Sequence, residues 1–407
     1  MSSASYQQIK AKIEGYSNLF TLLKGISPGV EKPKVEKSTL EKLLEVYGMV
    51  KEECRDVVAV EDKLKLLLSK IDYCEKDISN LVAATQTWDL DENGSMAFGA
   101  YVGSLITILT ERNGAKGKRT IIEIDENRLN YLGHCCRKFD IVRFGVNNGD
   151  CVFLFAKNGN ELYVEDCKGE YFAYGVGSRG GDVGKISANT VDGKSFAYLA
   201  GSEKGRVGEI RAGTVNGKDF ADGAGSKGGY VGEIRADNVN GEGFATCVGS
   251  ENGRVGKISA GTVNGNWFAK YAASRIGSNG GCVDEIRADI VNGEGFAELA
   301  GSNGGHVGKI YARVVNSKYF AFAFEAGSHG GYVGEIRADV VNGNYFARHA
   351  GSDGGNVGEI SANVVNGRWF AWSAGSHGHV GKISIGSHSK NAKLNEKTFK
   401  IGAKTNY

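Results

Sequence analysis

A glycine-serine step recurs at Gly177, Gly201, Gly225, Gly249, Gly277, Gly301, Gly327, Gly351 and Gly375, with spacings of 24, 24, 24, 28, 24, 26, 24 and 24 residues. Each step opens a short glycine-rich turn, followed by Val-Gly-x-Ile-x-Ala-x-x-Val-Asn-Gly-x-x-Phe-Ala-x-x-Ala. A unit this short cannot bury its apolar face alone and must stack on its copies. The long spacings place insertions at Ala273 to Ile276 and around Phe324 and Glu325. Both leave the frame intact, as loop insertions do.

Aligned at this period, the apolar columns run from Val183 to Val380, Ile186 to Ile383, Ala188 to Ala362 and Val191 to Val365. A phenylalanine column joins them: Phe196, Phe220, Phe244, Phe268, Phe296, Phe320, Phe346 and Phe370. The segments between turns are short, and Ile-x-Ala alternates with period two. No unit has a glycine-free run long enough for a helical repeat. The pattern predicts a parallel β-solenoid whose units hold two or three brief strands, Phe-Ala-x-x-Ala among them. Coils stack about 4.8 Å apart, so eight steps make a rod of roughly 40 Å.

The residue after the core Val is Asn216, Asn240, Asn264, Asn292, Asn316, Asn342 or Asn366, with Asp192 in the first unit. Asn tolerates left-handed backbone, and its amide can bond the same amide one coil above and below. The serine column, Ser178 to Ser376, has no His and carboxylate at a matching offset, so it reads as structure rather than as a row of nucleophiles. Around the core Ile the chain writes Glu-Ile-Arg (Glu209/Arg211) or Lys-Ile-Ser (Lys185/Ser187), so Lys in one coil often lies beside Glu in the next.

Only two prolines occur, Pro28 and Pro33, and neither falls in the repeats, where each backbone N–H is needed for a ladder. With 407 residues and a formal charge of +2, the chain is too balanced for a general nucleic-acid binder. Its eight cysteines form no CxxC pair and share no column, so neither zinc nor a disulfide framework is read. The first residues lack a signal-like apolar core, and no apolar run is long enough to span a membrane. A cytoplasmic protein without cofactor or metal is expected.

Ahead of the repeats, residues 1–86 read as a helical module of three helices. Apolar spacing predicts one over 4–26, and Ser38 with Glu41 starts a second as a capping box. A third, over about 61–86, carries Leu64, Ile71 and Ile78 on one heptad position and Leu67, Cys74 and Leu81 on the other. Such a seam can pack within the module or pair with another chain. Residues 87–152 read as a mixed capping region, with Met96 to Thr110 as a buried helix or strand, Arg119 to Glu123 as a strand and Asn127 to Lys138 as a short helix. The solenoid proper is assigned to 153–385, including one degenerate coil, and 386–407 to a lysine-rich tail. From 389 on, that tail has five lysines against one glutamate, a composition that discourages edge-to-edge growth or seeks an acidic partner.

Gly175-x-Gly177-x-x-Gly180 matches a dinucleotide fingerprint as a string, but equivalent glycines recur in every unit and no helix follows. His377 and His379 read as exposed turn residues. Unit five breaks its own rules with Asp284 in place of a repeated Gly, with Glu285 and Asp289 nearby and with Arg275 in the preceding insertion. These four residues form a second candidate site, because polysaccharide hydrolases set two carboxylates about one bond. The leading candidate surface is aromatic. The position before the core Phe holds Tyr319, Tyr345 and Trp369, and the position two after it holds Phe322, Arg348 and Trp372. Aromatics on three successive coils suit a protein partner, a sugar or the chain's own tail.

The segment Val333 to Gly343, Val-Gly-Glu-Ile-Arg-Ala-Asp-Val-Val-Asn-Gly, resembles the strand rhythm of bactofilins, bacterial cytoskeletal β-helices that assemble end to end. The resemblance covers residues 177–385 and implies a scaffold, with no catalytic residues to carry over. Taken together, the chain reads as an α+β protein, a helical module followed by a β-solenoid of about nine coils. The expected role is a non-enzymatic scaffold or protein-interaction rod. A carbohydrate-binding or polysaccharide-active β-helix and a filament-forming protein are the alternatives.

Overall fold

A computed structural model describes residues 37–54, 57–274, 280–317 and 322–389; the side chains of 57–61 are outside the description. Four helices precede twelve strands: α1 (Thr39–Val50), α2 (Val57–Leu68), α3 (Glu75–Thr85) and α4 (Glu92–Gly114). The helix expected over 4–26 and the tail from 390 on lie outside the described residues.

The capping box forms as read: the Ser38 hydroxyl accepts from the Glu41 N–H, and the Glu41 carboxylate accepts from the Ser38 N–H. The continuous helix expected over 61–86 is instead two, α2 and α3. Cys74 starts α3, with the Asp77 carboxylate accepting its N–H at 2.9 Å. The break lets Tyr73 turn inward, where its hydroxyl donates to the Leu105 carbonyl and the Arg112 guanidinium lies over its ring. No straight heptad seam survives that break. Leu64, Leu68, Ile78, Leu81 and Val82 are buried inside the chain's own cluster.

Helix α4 closes the first end of the stack. It is apolar on nearly every side because it is covered on one side by α1 to α3 and on the other by the first coil. Gly99 and Gly103 let it lie flat there: a Cβ on Gly99 would stand 1.9 Å from the Tyr131 carbonyl oxygen. Tyr101 donates to the Leu43 carbonyl at 2.7 Å, tying α4 to α1.

The strands are β1 (Ile121–Asn127), β2 (Lys138–Asn147), β3 (Asn158–Cys167), β4 (Asp182–Val191), β5 (Arg206–Val215), β6 (Tyr230–Val239), β7 (Arg254–Val263), β8 (Cys282–Val291), β9 (His306–Val315), β10 (Tyr332–Val341), β11 (Asn356–Val365) and β12 (His379–His388). Each pairs in parallel with the next in one twelve-stranded sheet, giving a solenoid of about eleven turns. The stack begins at Ile121, inside the segment that the sequence left as a capping region. Ile121 pairs with Ile141 and Ile141 with Glu161, so the first two steps are 20 residues; Glu161 pairs with Lys185, a step of 24. The missing four residues are those of the Gly-Ser turn, which hid these coils from a search at the longer period. Asn127 to Lys138 is accordingly not a helix but part of a coil, with Tyr131 and Cys135 at φ 60° and 54°.

Within each ten-residue strand the paired residues fall in three short runs, as at β4, where Gly184 and Asn189 are skipped. The other arm of the coil is not a strand. Alternate residues there take left-handed backbone: Asp219, Ala221, Gly223 and Gly225 at φ 57°, 55°, 65° and 65°. Their N–H groups donate alternately to the next and the preceding coil, Asp219 to Glu242 and Ala221 to Phe196, then Gly223 to Thr246 and Gly225 to Ala200. The backbone is satisfied without a β-ladder. Left-handed backbone costs a non-Gly residue about 1–2 kcal/mol, and the inter-coil bonds and the ring stack inside offset it. The β-branched residues Val and Ile that favour strands sit mainly in the other arm.

Phe172, Phe196, Phe220, Phe244, Phe268, Phe296, Phe322, Phe346 and Phe370 stack through the core, with Phe244 and Phe268 at 4.8 Å and 2°. The seventh member is Phe322, not Phe320. The two-residue insertion falls between Ser317 and Phe322, ahead of the ring rather than around Phe324 and Glu325, since the Ala323 N–H donates to Phe296 and the Ala347 N–H to Phe322.

Candidate functional site

The outward side of the turn arm carries the aromatic columns. In the late coils the residue before the ladder Phe and the residue two after it face away from the stack. They are Tyr345 and Trp369, and Phe324, Arg348 and Trp372. Tyr345 and Trp369 take φ 60° and 63°, so the left-handed turn sets their direction. Their rings are parallel, with centroids 6.1 Å apart, and Trp369 meets Trp372 at 5.9 Å.

Arg348 lies at the centre. Its guanidinium carbon is 4.6 Å from the Trp372 ring centroid, 5.1 Å from Tyr345 and 5.7 Å from Phe324. Such contacts are cation–π in character. The Arg348 Nε is buried with no hydrogen-bond partner. His349 completes the cluster, edge-on to Trp372 and Phe324. Burial, with the Arg348 charge beside it, holds its pKa below the usual histidine value, so the ring is neutral at pH 7.

Four residues expected on this surface, Tyr345, Arg348, Trp369 and Trp372, are therefore brought together. Tyr319 lies outside the described residues. Phe322 is fully buried in the ladder and cannot be a surface residue. Phe324 takes the place assigned to it, and His349 joins; the misplaced insertion concealed the first.

A second cluster on the same arm escaped the sequence reading. Lys270 stands 5.3 Å from the ring centroids of both Trp267 and Tyr271, and its ammonium pairs with Glu298 of the next coil at 3.1 Å. The signal was present, since Trp267 precedes Phe268 just as Trp369 precedes Phe370.

The three described residues of the unit-five candidate site, Asp284, Glu285 and Asp289, each face a basic residue. Arg275 lies outside the described residues. Asp284 accepts two hydrogen bonds from Arg254, at 3.0 and 3.3 Å. Glu285 sits in register between Lys257 and Lys309. Asp289 is 3.7 Å from Arg287. Asp284 and Asp289 are five residue steps apart along the strand, about 16 Å, more than the ~9.5 Å upper limit for carboxylates flanking one glycosidic bond.

Two clefts border the helical cap, one of about 320 Å³ beside Tyr131 and Glu92 and one of about 470 Å³ beside Asp140. Their polar groups hold one another: Tyr131 donates to Glu92, and Asp140 accepts from Arg119, Asn160 and the Thr120 N–H. Burial pushes the Cys167 and Cys247 thiols up to about 12, leaving both protonated and unreactive at pH 7. Among the described residues no three His, Cys, Asp or Glu side chains are grouped to hold a metal ion, and no helix is long and apolar enough to cross a membrane.

No family model, curated protein or solved structure matches the chain. These comparisons therefore give no support to the resemblance to bactofilins; what the structure shows is a parallel β-solenoid repeat.

Proposed function

We propose that this protein is a protein-interaction rod whose contact surface is the turn arm of the late coils. The packing of Tyr345, Trp369 and Trp372 around Arg348 carries this reading. Clustered aromatics with an arginine among them are the residue types that dominate binding energy at protein interfaces. Most repeated columns already have a structural duty, as ring stack, amide ladder or close-packed glycine, whereas these side chains face outward and vary from coil to coil. Ion pairs in register, such as Lys185 with Glu209 and Lys309 with Glu335, occupy the opposite face.

The test compares proteins retained from the source cell by the full chain and by a Trp369→Ala/Trp372→Ala variant of unchanged thermal stability. A partner lost only from the variant supports the reading. Ring surface on successive coils also suits a sugar, so a glycan array is run beside it, and glycan binding that depends on Trp369 would replace a protein partner by a carbohydrate. Hydrolysis of a polysaccharide that is abolished by changing Asp284 or Asp289 would overturn the non-enzymatic part of the proposal. End-to-end filament growth is disfavoured at one end, where α3 packs on β1 and α4 on β2.

A further inference from the structure

Lys270 and Arg348 occupy the same position in their coils, two residues after Phe268 and Phe346. Both stand over aromatic rings. Lys270 then finds Glu298 at the equivalent position one coil on, and the two side chains cover each other. For Arg348 the equivalent neighbours are Phe324 and Trp372, so no carboxylate is supplied from its column. Among the described residues none pairs with it, and its Nε is buried without a partner.

Several cations elsewhere on the rod meet a carboxylate of an adjacent coil: Lys194 with Glu170, Lys218 with Glu242, Lys257 with Glu233, Lys382 with Glu359. Nearby, Asp353 lies between His329 and His377. Arg368, exposed one position before Trp369, has no carboxylate partner among the described residues either. The late coils thus present two cations beside a set of rings, one of them with its Nε buried.

Resting on the reading of this surface as a protein contact, we infer that the partner is an acidic segment: an Asp or Glu flanked by apolar or aromatic residues, whose carboxylate completes the site at Arg348 as Glu298 completes the one at Lys270. The aromatic walls bury the guanidinium Nε and leave it without a partner, so a carboxylate arriving at this guanidinium gains charge-assisted hydrogen bonds with part of the desolvation already met. The chain's own tail is a poor occupant, with five lysines against one glutamate from residue 389 on. A nucleic acid is disfavoured because its phosphates require a track of several free cations, and this surface presents two, Arg348 and Arg368.

The test uses the purified full chain. A random dodecapeptide phage library is selected on it, and recovered peptides are synthesised and titrated by fluorescence anisotropy against the wild type, Arg348→Gln and Arg348→Glu. Selected peptides are expected to carry Asp or Glu beside an apolar residue. Arg348→Gln should weaken them at least tenfold, and changing the peptide carboxylate to the amide should weaken wild-type binding but have no further effect on that variant. Selection on Arg348→Glu should shift to peptides with Lys or Arg. Circular dichroism and thermal melts of both variants check that the fold is kept; if either is unfolded, the peptide carboxylate-to-amide change on the wild type decides alone.

Peptides that need Trp369 and Trp372 but carry no acid, or acidic peptides indifferent to Arg348→Gln, would overturn the acidic-partner assignment while leaving the interaction rod standing. A single-stranded oligo-dT that displaces the peptides and binds more tightly would also overturn it. If no selected peptide depends on any residue of this arm, the interaction surface itself is wrong and both readings fall.

Discussion

Asn264 donates from its side-chain amide to the Asn240 side-chain oxygen at 2.9 Å and accepts in turn from Asn292 at 2.8 Å. The same link repeats seven times, from Asn366 down to Asp192. Every amide donates toward the start of the chain. The first member needs only to accept, and that position holds Asp192, which has no donor to leave unpaired. None of these asparagines has left-handed backbone, so the ladder itself, rather than turn conformation, accounts for the column. Asn264→Ala removes two bonds worth about 1 kcal/mol each. Asn264→Asp keeps the link from Asn292 but leaves Asn240 without its donor, so it is expected to cost about half as much. A repeat array opens locally rather than all at once, so the check is hydrogen exchange at the Val239 and Val263 amides, which should speed up in that order of substitutions.

The glycine that follows every ladder asparagine but Asn316, where Ser317 stands, is packed closely against its neighbour. A Cβ on Gly265 would lie 1.8 Å from the Gly241 carbonyl oxygen, and one on Gly241 equally close to Gly217. The obstacle is backbone of the preceding coil, so the coils themselves must shift to admit a Cβ. Gly265→Ala is expected to cost more than Asn264→Ala, about 3 kcal/mol or above, as overpacking against fixed atoms does. Thermal melts of the two variants beside the wild type test the ranking.

Phe322 fixes the register of the late coils. Its ring centroid is 4.8 Å from that of Phe296 and 5.0 Å from that of Phe346. Phe322→Ala should cost about 3–5 kcal/mol, as for other buried rings, and Phe268→Ala a similar amount. Phe324→Ala, on the outward side, should cost less than about 1.5 kcal/mol and act instead on partner binding. Equal destabilisation by Phe322→Ala and Phe324→Ala in thermal melts would contradict this register.

The repeat made the stack legible because inward columns must be apolar and turn columns must be Gly, Ser or Asn; Val183, Ile186, Ala188, Val191 and Phe196 are all buried as their columns require. Three features were lost for identifiable reasons. The first coils run at 20 residues, so a period of 24 passes over them. Phe320 and Phe322 both precede an alanine, so composition alone could not say which carries the ladder; only the hydrogen bonds to Phe296 and Ala347 decide it. The turn arm was read as a strand because alternation is shared by strands and by alternating left- and right-handed turns. The near absence of Val and Ile from Phe-Ala-x-x-Ala was the available clue. At the candidate site, columns placed Tyr345, Arg348, Trp369 and Trp372 together, but that Arg348 lacks the carboxylate Lys270 enjoys is visible only when neighbouring coils are set in register.

Asp222 occupies the same outward position as Lys270 and Arg348, three coils before Glu298, and it is the ionisable group most at odds with its surroundings on that arm. Burial pushes its carboxyl up to about 6; the nearby Asp219 adds to the rise, and hydrogen bonds from Thr246 and the Gly223 N–H oppose it. Tyr198 and Cys247 beside it are themselves raised by burial and stay neutral. Because the folded value exceeds the unfolded value near 4, the folded state binds the proton more tightly. The stabilisation is fully present below pH 4 and is lost as the pH rises through 6, an effect of about 1–3 kcal/mol. Asp222→Asn removes this dependence. The variant should melt higher than the wild type at pH 8 and within error of it at pH 3.5. A difference that is the same at both pH values would show that the carboxylate is not strained by its burial.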